Sequence, residues 1–317
     1  ADDDRDRTSR QLAGALARGS GGDAAAGVCA ARAAAVLAPA GAPRALRDAV
    51  FIHPIDDGWL VLAWRAHAIE LRTVARGADP ADRIAEAAAA MLAGAPRVQL
   101  HVHRSLVALP IDRKLAARLG VPVAFGVDAP EPAPGAACHG PRRALVVANP
   151  QANLRGASEA VPVVRGHLAR LGLVVDVLEG GEATRAAVTA RLAEPCTELF
   201  EYDGHAAARS GDRVDDALLL AGGETLTAAD VLGLPRAPAA IVLDGCTTAA
   251  PEGLGLAQAF LLAGAHQVIA SLDEVPDAAA ARFTRALFAG DGAVDLAARF
   301  ARVSTENDLA MLRVFER

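Results

Sequence analysis

An α/β fold, with a mostly parallel central sheet and helices on both faces, is what the second half of this sequence predicts. Short apolar runs and alanine-rich helical stretches alternate from Arg143 onward. The run from Ala239 to Leu243 is continuously apolar and bounded by prolines, the pattern of a strand buried on both faces. Intervals between runs are long enough for crossover connections, which parallel neighbours require. In order, strands are expected at Leu145–Ala148, Leu173–Leu178, Glu198–Tyr202, Ile241–Leu243 and Gln267–Leu272. Helices are expected over residues 157–171, 182–192, 253–263 and 276–288. Residues 291–317 read as a final helix and a charged tail.

The first half has a different character. Residues 7–40, rich in alanine and arginine and interrupted by Gly19 through Gly22, read as two helices. Val50-Phe51-Ile52 and Trp59 through Trp64 flank Asp56-Asp57-Gly58, a strong hairpin signal, and Ala68 through Leu71 follows as a further strand. A helix from Pro80 to Ala93, with proline near its start, and a strand from Val98 to His103 complete an α+β subdomain. Pro130, Pro132, Pro134 and Gly135 through Gly140 mark an exposed connection. The expected division is therefore a helical segment over 1–48, an N-terminal subdomain with hairpin and linker over 49–140, and the α/β core over 141–317.

Composition narrows the function classes. A net charge of −6 and no basic stripe argue against direct nucleic-acid binding, which rests on many Lys and Arg contacts to phosphate. No stretch of 18 or more apolar residues and no signal-like leader is visible, so a soluble, cytoplasmic protein off the membrane is expected. Cys29, Cys138, Cys196 and Cys246 show no CxxC spacing, and suggest neither a zinc site nor a disulfide framework. His101 and His103 share a strand face but supply only two ligands, and the glycine turns at Gly180-Gly181 and Gly222-Gly223 lack phosphate-loop spacing. No metal or cofactor is expected.

Two segments carry chemistry: Glu201-Tyr202-Asp203-Gly204-His205-Ala206 and Val242-Leu243-Asp244-Gly245-Cys246-Thr247-Thr248. Each places a residue of nucleophilic catalysis just after a strand, where open α/β sheets carry their active sites. An ordinary thiol is only a few per cent ionised near neutrality, so a cysteine nucleophile needs a nearby imidazole. The 41-residue separation of His205 and Cys246 fits a βαβ interval, making adjacent parallel strands possible. Asp203 could orient His205 or simply be a solvated turn carboxylate.

Several segments in order carry a family resemblance: Ala144 through Pro150 with Leu154 and Ala157 through Glu159; the Gly204-His205 turn; Leu218 through Gly223 followed by Leu226 through Asp230; Leu243 through Thr248; and Gly255 through Ala265 leading to Val268 through Leu272. From about Arg143 to Ser304 the chain resembles the CHAT domain, a branch of the caspase and separase class of cysteine peptidases. Ala206 stands where that family usually has glycine, and Asp273 where it usually has tryptophan.

The resemblance implies a caspase-like three-layer sandwich and a Cys246–His205 dyad hydrolysing a peptide bond in a partner protein, under an activator or regulatory protein. It further implies oxyanion binding by N–H groups around Gly204, Ala206, Gly245 and Cys246. Relatives that accept a basic P1 residue do so with an acid after the last core strand, which points to Asp273, Glu274 and Asp277. CHAT peptidases resemble components of bacterial, antiviral defence and cell-death systems. The alternatives are a catalytically silent CHAT-like interaction scaffold and a flavodoxin-like binding module in which Cys246 is buried and unreactive.

Overall fold

The Asp56-Asp57 turn folds the first strands into a meander. β1 (Ala49–Ile55) pairs antiparallel with β2 (Gly58–Arg65), Ile55 opposite Gly58, and β2 pairs with β3 (Ala68–Ala75). This computed structural model describes residues 48–65, 68–127, 137–207, 216–249, 255–289, 295–303 and 311–317. The chain forms two compact units, the first ending at Phe125 and the second beginning at Gly126. The two expected N-terminal helices and the proline-rich part of the expected linker lie outside the described residues.

In the first unit β1 also pairs in parallel with β4 (Val98–Val102), and β4 with β5 (Val123–Gly126). Helix α1 (Pro80–Leu92) is capped by Asp79 and packs on β2 and β3, and α2 (Ile111–Leu119) packs on α1. His101 stacks on Phe51, and His103 meets Ser105 Oγ at 2.9 Å.

The second unit is built on a sheet of order β14-β13-β12-β8-β6-β7. Its members are β6 (Arg143–Ala148), β7 (Val174–Glu179), β8 (Thr197–Asp203), β12 (Ala240–Asp244), β13 (Gln267–Ser271) and β14 (Leu312–Glu316). All are parallel except β14, which runs antiparallel to β13.

Chain direction assigns the helices to faces. From β6 through α3 (Arg155–Arg170) the chain moves outward to β7. It then reverses through α4 (Arg185–Leu192) to β8, and continues through α5 (Ala228–Leu232) to β12 and α6 (Leu256–Leu262) to β13. Right-handed crossovers run in opposite senses must cover opposite faces. So α3 covers one face and α4, α5 and α6 the other. Helix α7 (Asp277–Leu287) packs on α3 and α8 (Leu296–Val303) on α7, completing a three-layer α/β/α arrangement.

Two expectations are corrected. The charged tail ends in strand β14, whose Arg313 and Glu316 are buried, because Leu312, Val314 and Phe315 give it enough apolar surface to pair along β13. A disulfide joins Cys138 to Cys196. Cys196 immediately precedes β8 and its carbonyl accepts the Arg143 N–H at 2.8 Å, so strand register brings together two cysteines 58 residues apart. Sequence spacing alone carries no sign of that pairing.

Candidate active site

Strands β8 and β12 are direct neighbours, and their last pair in register is Asp203 with Asp244. One glycine follows each aspartate, and then come His205 and Cys246. The two residues singled out in the sequence therefore emerge side by side at the carboxyl edge of the sheet.

Both intervening glycines are dictated by contact rather than by backbone angle. A Cβ on Gly245 would lie 2.9 Å from the Gly204 carbonyl oxygen and 3.3 Å from Ala206 Cβ. A Cβ on Gly204 would lie 2.6 Å from the Tyr202 hydroxyl and 2.9 Å from Pro150 Cδ. The cysteine turn is thus seated directly on the histidine turn. Gly245→Ala is expected to destabilise the protein by about 1–3 kcal/mol through overpacking and to slow alkylation of Cys246. Thermal denaturation and mass-spectrometric labelling check this, and a variant matching the parent in both would contradict the packing described.

The surrounding hydrogen bonds fix each turn. The His205 carbonyl accepts the Leu219 N–H at 2.8 Å and also the hydroxyl of buried Tyr202. Leu219 belongs to β10 (Ala217–Leu219), which with β9 (Ala206–Ala207) and β11 (Thr225–Thr227) makes a small antiparallel sheet unseen in the sequence. Ala206 opposes Leu218 as a non-hydrogen-bonded pair, so its own N–H points away from β10. Its φ is not positive, so alanine in place of the family's glycine carries no backbone strain.

Around Cys246, Thr247 adopts φ 51, uncommon for a β-branched residue and typical of strained functional turns. Its N–H donates to the Asp273 carbonyl at 3.1 Å. The Thr248 hydroxyl donates to Gly245 O at 3.1 Å and accepts the Ser271 N–H at 3.0 Å, tying the turn to β13. Cys246 is a free, half-exposed thiol whose Sγ accepts the Val275 N–H at 3.5 Å. A half-exposed Cys246 removes the basis of the flavodoxin-like reading, which required a buried one.

The other expected site residues divide. Asp273 and Glu274 are exposed in the segment that wraps the thiol. Asp277 sits in the first turn of α7, and its Oδ2 accepts the Gly156 N–H of α3 at 3.1 Å, serving two helix N-termini. Asp203 does not orient His205. Its carboxyl is 2 % exposed and lies in a cluster with Glu201, Asp244 and Asp277 on the α3/α7 face, while the Thr284 hydroxyl donates to Asp244 at 2.6 Å. Burial first, then the Asp244 charge, pushes Asp203 up to about 8; burial pushes Asp244 up to about 6 and Glu201 well above the carboxylate range.

The group that meets His205 is one sequence reasoning missed. Asn153 Oδ1 lies 3.1 Å from His205 Nε2. Asn153 follows the turn at Pro150 and Gln151, and the only sequence signal near it is the Asn149-Pro150 pair after strand β6. Among the described residues there is no group of three or more potential metal ligands and no helix long and apolar enough to cross a membrane.

Fold and site together define an α/β protein that presents a thiol and an imidazole on abutting turns at the carboxyl edge of a parallel sheet. The CHAT domain profile matches residues 121–298, more than half the sequence, and the chain belongs to the CHAT domain family. Among solved structures it is similar to Saccharomyces cerevisiae separase in its complex with securin. In two such structures the identity is 13 %, with TM-scores of 0.48 and 0.49 and 78 % and 80 % of this chain covered. It is also similar to the Arg-specific cysteine proteinase gingipain R, at 14 % identity and TM-score 0.44 over 69 % of this chain. The chain spans 16 % of the separase chains and 54 % of the gingipain chain. No curated protein matches it.

Proposed function

We propose that this chain is a cysteine endopeptidase acting on a partner protein. The observation that carries the reading is the seating of the Cys246 turn on the His205 turn at the ends of hydrogen-bonded strands. In this mechanism Cys246 Sγ attacks the scissile carbonyl, and its proton passes to His205 and then to the leaving amine. The N–H groups of Cys246 and of the 204–206 turn hold the oxyanion, and Ala206 N–H, unused by β10, is the donor best placed to turn toward it. Water then enters with His205 as base, and the acyl-enzyme is hydrolysed. The chemistry requires no metal or cofactor.

Exposed Asp273 and Glu274 beside the thiol support a basic P1 residue. Asp277, committed to α3, belongs to the scaffold of that segment rather than to its open surface. The family resemblance supports a role in a bacterial defence or cell-death system in the cytoplasm, with a regulatory protein controlling access.

The test is cleavage of a P1-diverse fluorogenic peptide library by the full chain beside Cys246→Ala and His205→Ala. Cleavage after Arg or Lys, lowered roughly 10³-fold or more in both variants, is the expected outcome. Preference for Asp or apolar P1 residues would remove the acidic pocket from the reading. Cleavage undiminished in either variant would overturn the dyad, and no cleavage by any form, with Cys246 alkylating no faster than in His205→Ala, would favour the scaffold.

A further inference from the structure

The loop between β6 and α3 is organised far beyond what a connection requires. Asn149 adopts φ 48 and Ala152 φ 56, so two non-glycine residues in left-handed conformation turn the chain back on itself. Asn149 then clamps the turn: its Oδ1 accepts the Leu154 N–H at 2.8 Å, its Nδ2 donates to Ser158 Oγ at 3.1 Å, and its carbonyl accepts the Ala152 N–H at 2.9 Å. Its own N–H donates to the Asp203 carbonyl at 2.8 Å, the last backbone acceptor before the histidine turn. The residue held between these anchors is Asn153. Its amide is thereby referenced to the strand end that carries His205.

Deepening the peptidase reading on which it rests, we propose that Asn153 is the positioning residue of the pair, fixing the His205 ring so that Nε2 carries a proton and Nδ1 exchanges the thiol proton. An amide oxygen carries no hydrogen and can only accept, so a 3.1 Å contact to Oδ1 makes Nε2 the donor. In a neutral imidazole the other nitrogen is then the only base. The side chain that commonly fills such a role, a carboxylate, is near at hand in Asp203 but is buried among other acids on the α3/α7 face. A neutral amide fixes tautomer and ring orientation without placing a permanent charge beside the ring.

Two measurements on the full chain test this. In ring-¹⁵N NMR of histidine-labelled protein, the His205 signal, assigned by its loss in His205→Ala, shows the Nε2–H form in the parent and a tautomer mixture in Asn153→Ala. Alkylation of Cys246 by iodoacetamide, followed by mass spectrometry at neutral pH, slows about 10-fold in Asn153→Ala and is largely rescued in Asn153→Asp, which keeps an acceptor on Nε2. Asn153 is exposed, so its variants are expected to melt with the parent. A parent-like tautomer signal and alkylation rate in Asn153→Ala, with His205→Ala slow, overturns the proposal alone. Alkylation unchanged in His205→Ala overturns the dyad and this proposal with it.

Discussion

The second unit is expected to lose stability as pH rises from about 4 to about 8, by on the order of 5 kcal/mol. Asp203 and Asp244 are paired in register across two parallel strands, at 2 % and 3 % exposure, with Glu201 one step down the same face at 1 %. Burial, then the Asp244 and Asp277 charges, act against ionisation of Asp203, and the Arg285 charge opposes them only in part. The folded state therefore binds protons that an unfolded chain has already released. A carboxyl raised in the folded state stabilises fully below its unfolded value near 3.8, and that contribution is lost as pH climbs through the folded value of about 8. Melting temperature recorded from pH 5 to 9 should fall for the parent and flatten for Asp203→Asn, which keeps the shape and removes the ionisation. The difference between the two curves isolates the cluster from His205 and Cys246, which both keep. A parent curve that is flat or rises across this window would refute the assignment.

Opening the Cys138–Cys196 bridge is expected to lower stability by about 4 kcal/mol, because the 58-residue loop it closes regains its freedom in the unfolded chain. The bridge joins the chain just before β6 to the chain just before β8, at the amino ends of the strands. The candidate site occupies the carboxyl ends. Stability and reactivity should therefore separate: reductant or Cys138→Ala lowers the melting temperature, while Cys246 alkylation at moderate temperature is unchanged. Equal melting temperatures with and without reductant would show that the bridge does not constrain the fold. In a glutathione-reduced cytoplasm this bridge would stand open, and the protein would work from its less stable form.

What was legible in the sequence follows physical range. The run 240–244 betrays a buried parallel strand because every residue of it is apolar until Asp244, and the Asp56-Asp57-Gly58 turn announces its hairpin by local chemistry. His205 and Cys246 were legible because each follows a strand, a placement that needs no partner to be recognised. Asn153 was not, since its position depends on Asn149 entering a left-handed conformation and bonding five residues ahead. Arg313 and Glu316 disguised β14 as a tail, because charge in a strand reads as solvent unless its burial is known. Asp203 reads in the sequence as an orienter of His205 or a solvated turn carboxylate, and only strand pairing places it, buried, beside Glu201 and Asp244.

The alignment of Asp203 with Asp244 in one ladder means that thiol and imidazole inherit their spacing from the sheet rather than from flexible loops. A slip of one residue between β8 and β12 would displace the two turns by about 3.3 Å and invert every side chain of one strand across the layers. On the peptidase reading proposed above, a partner protein would then govern access to the two turns, while the spacing between thiol and imidazole stays set by the sheet.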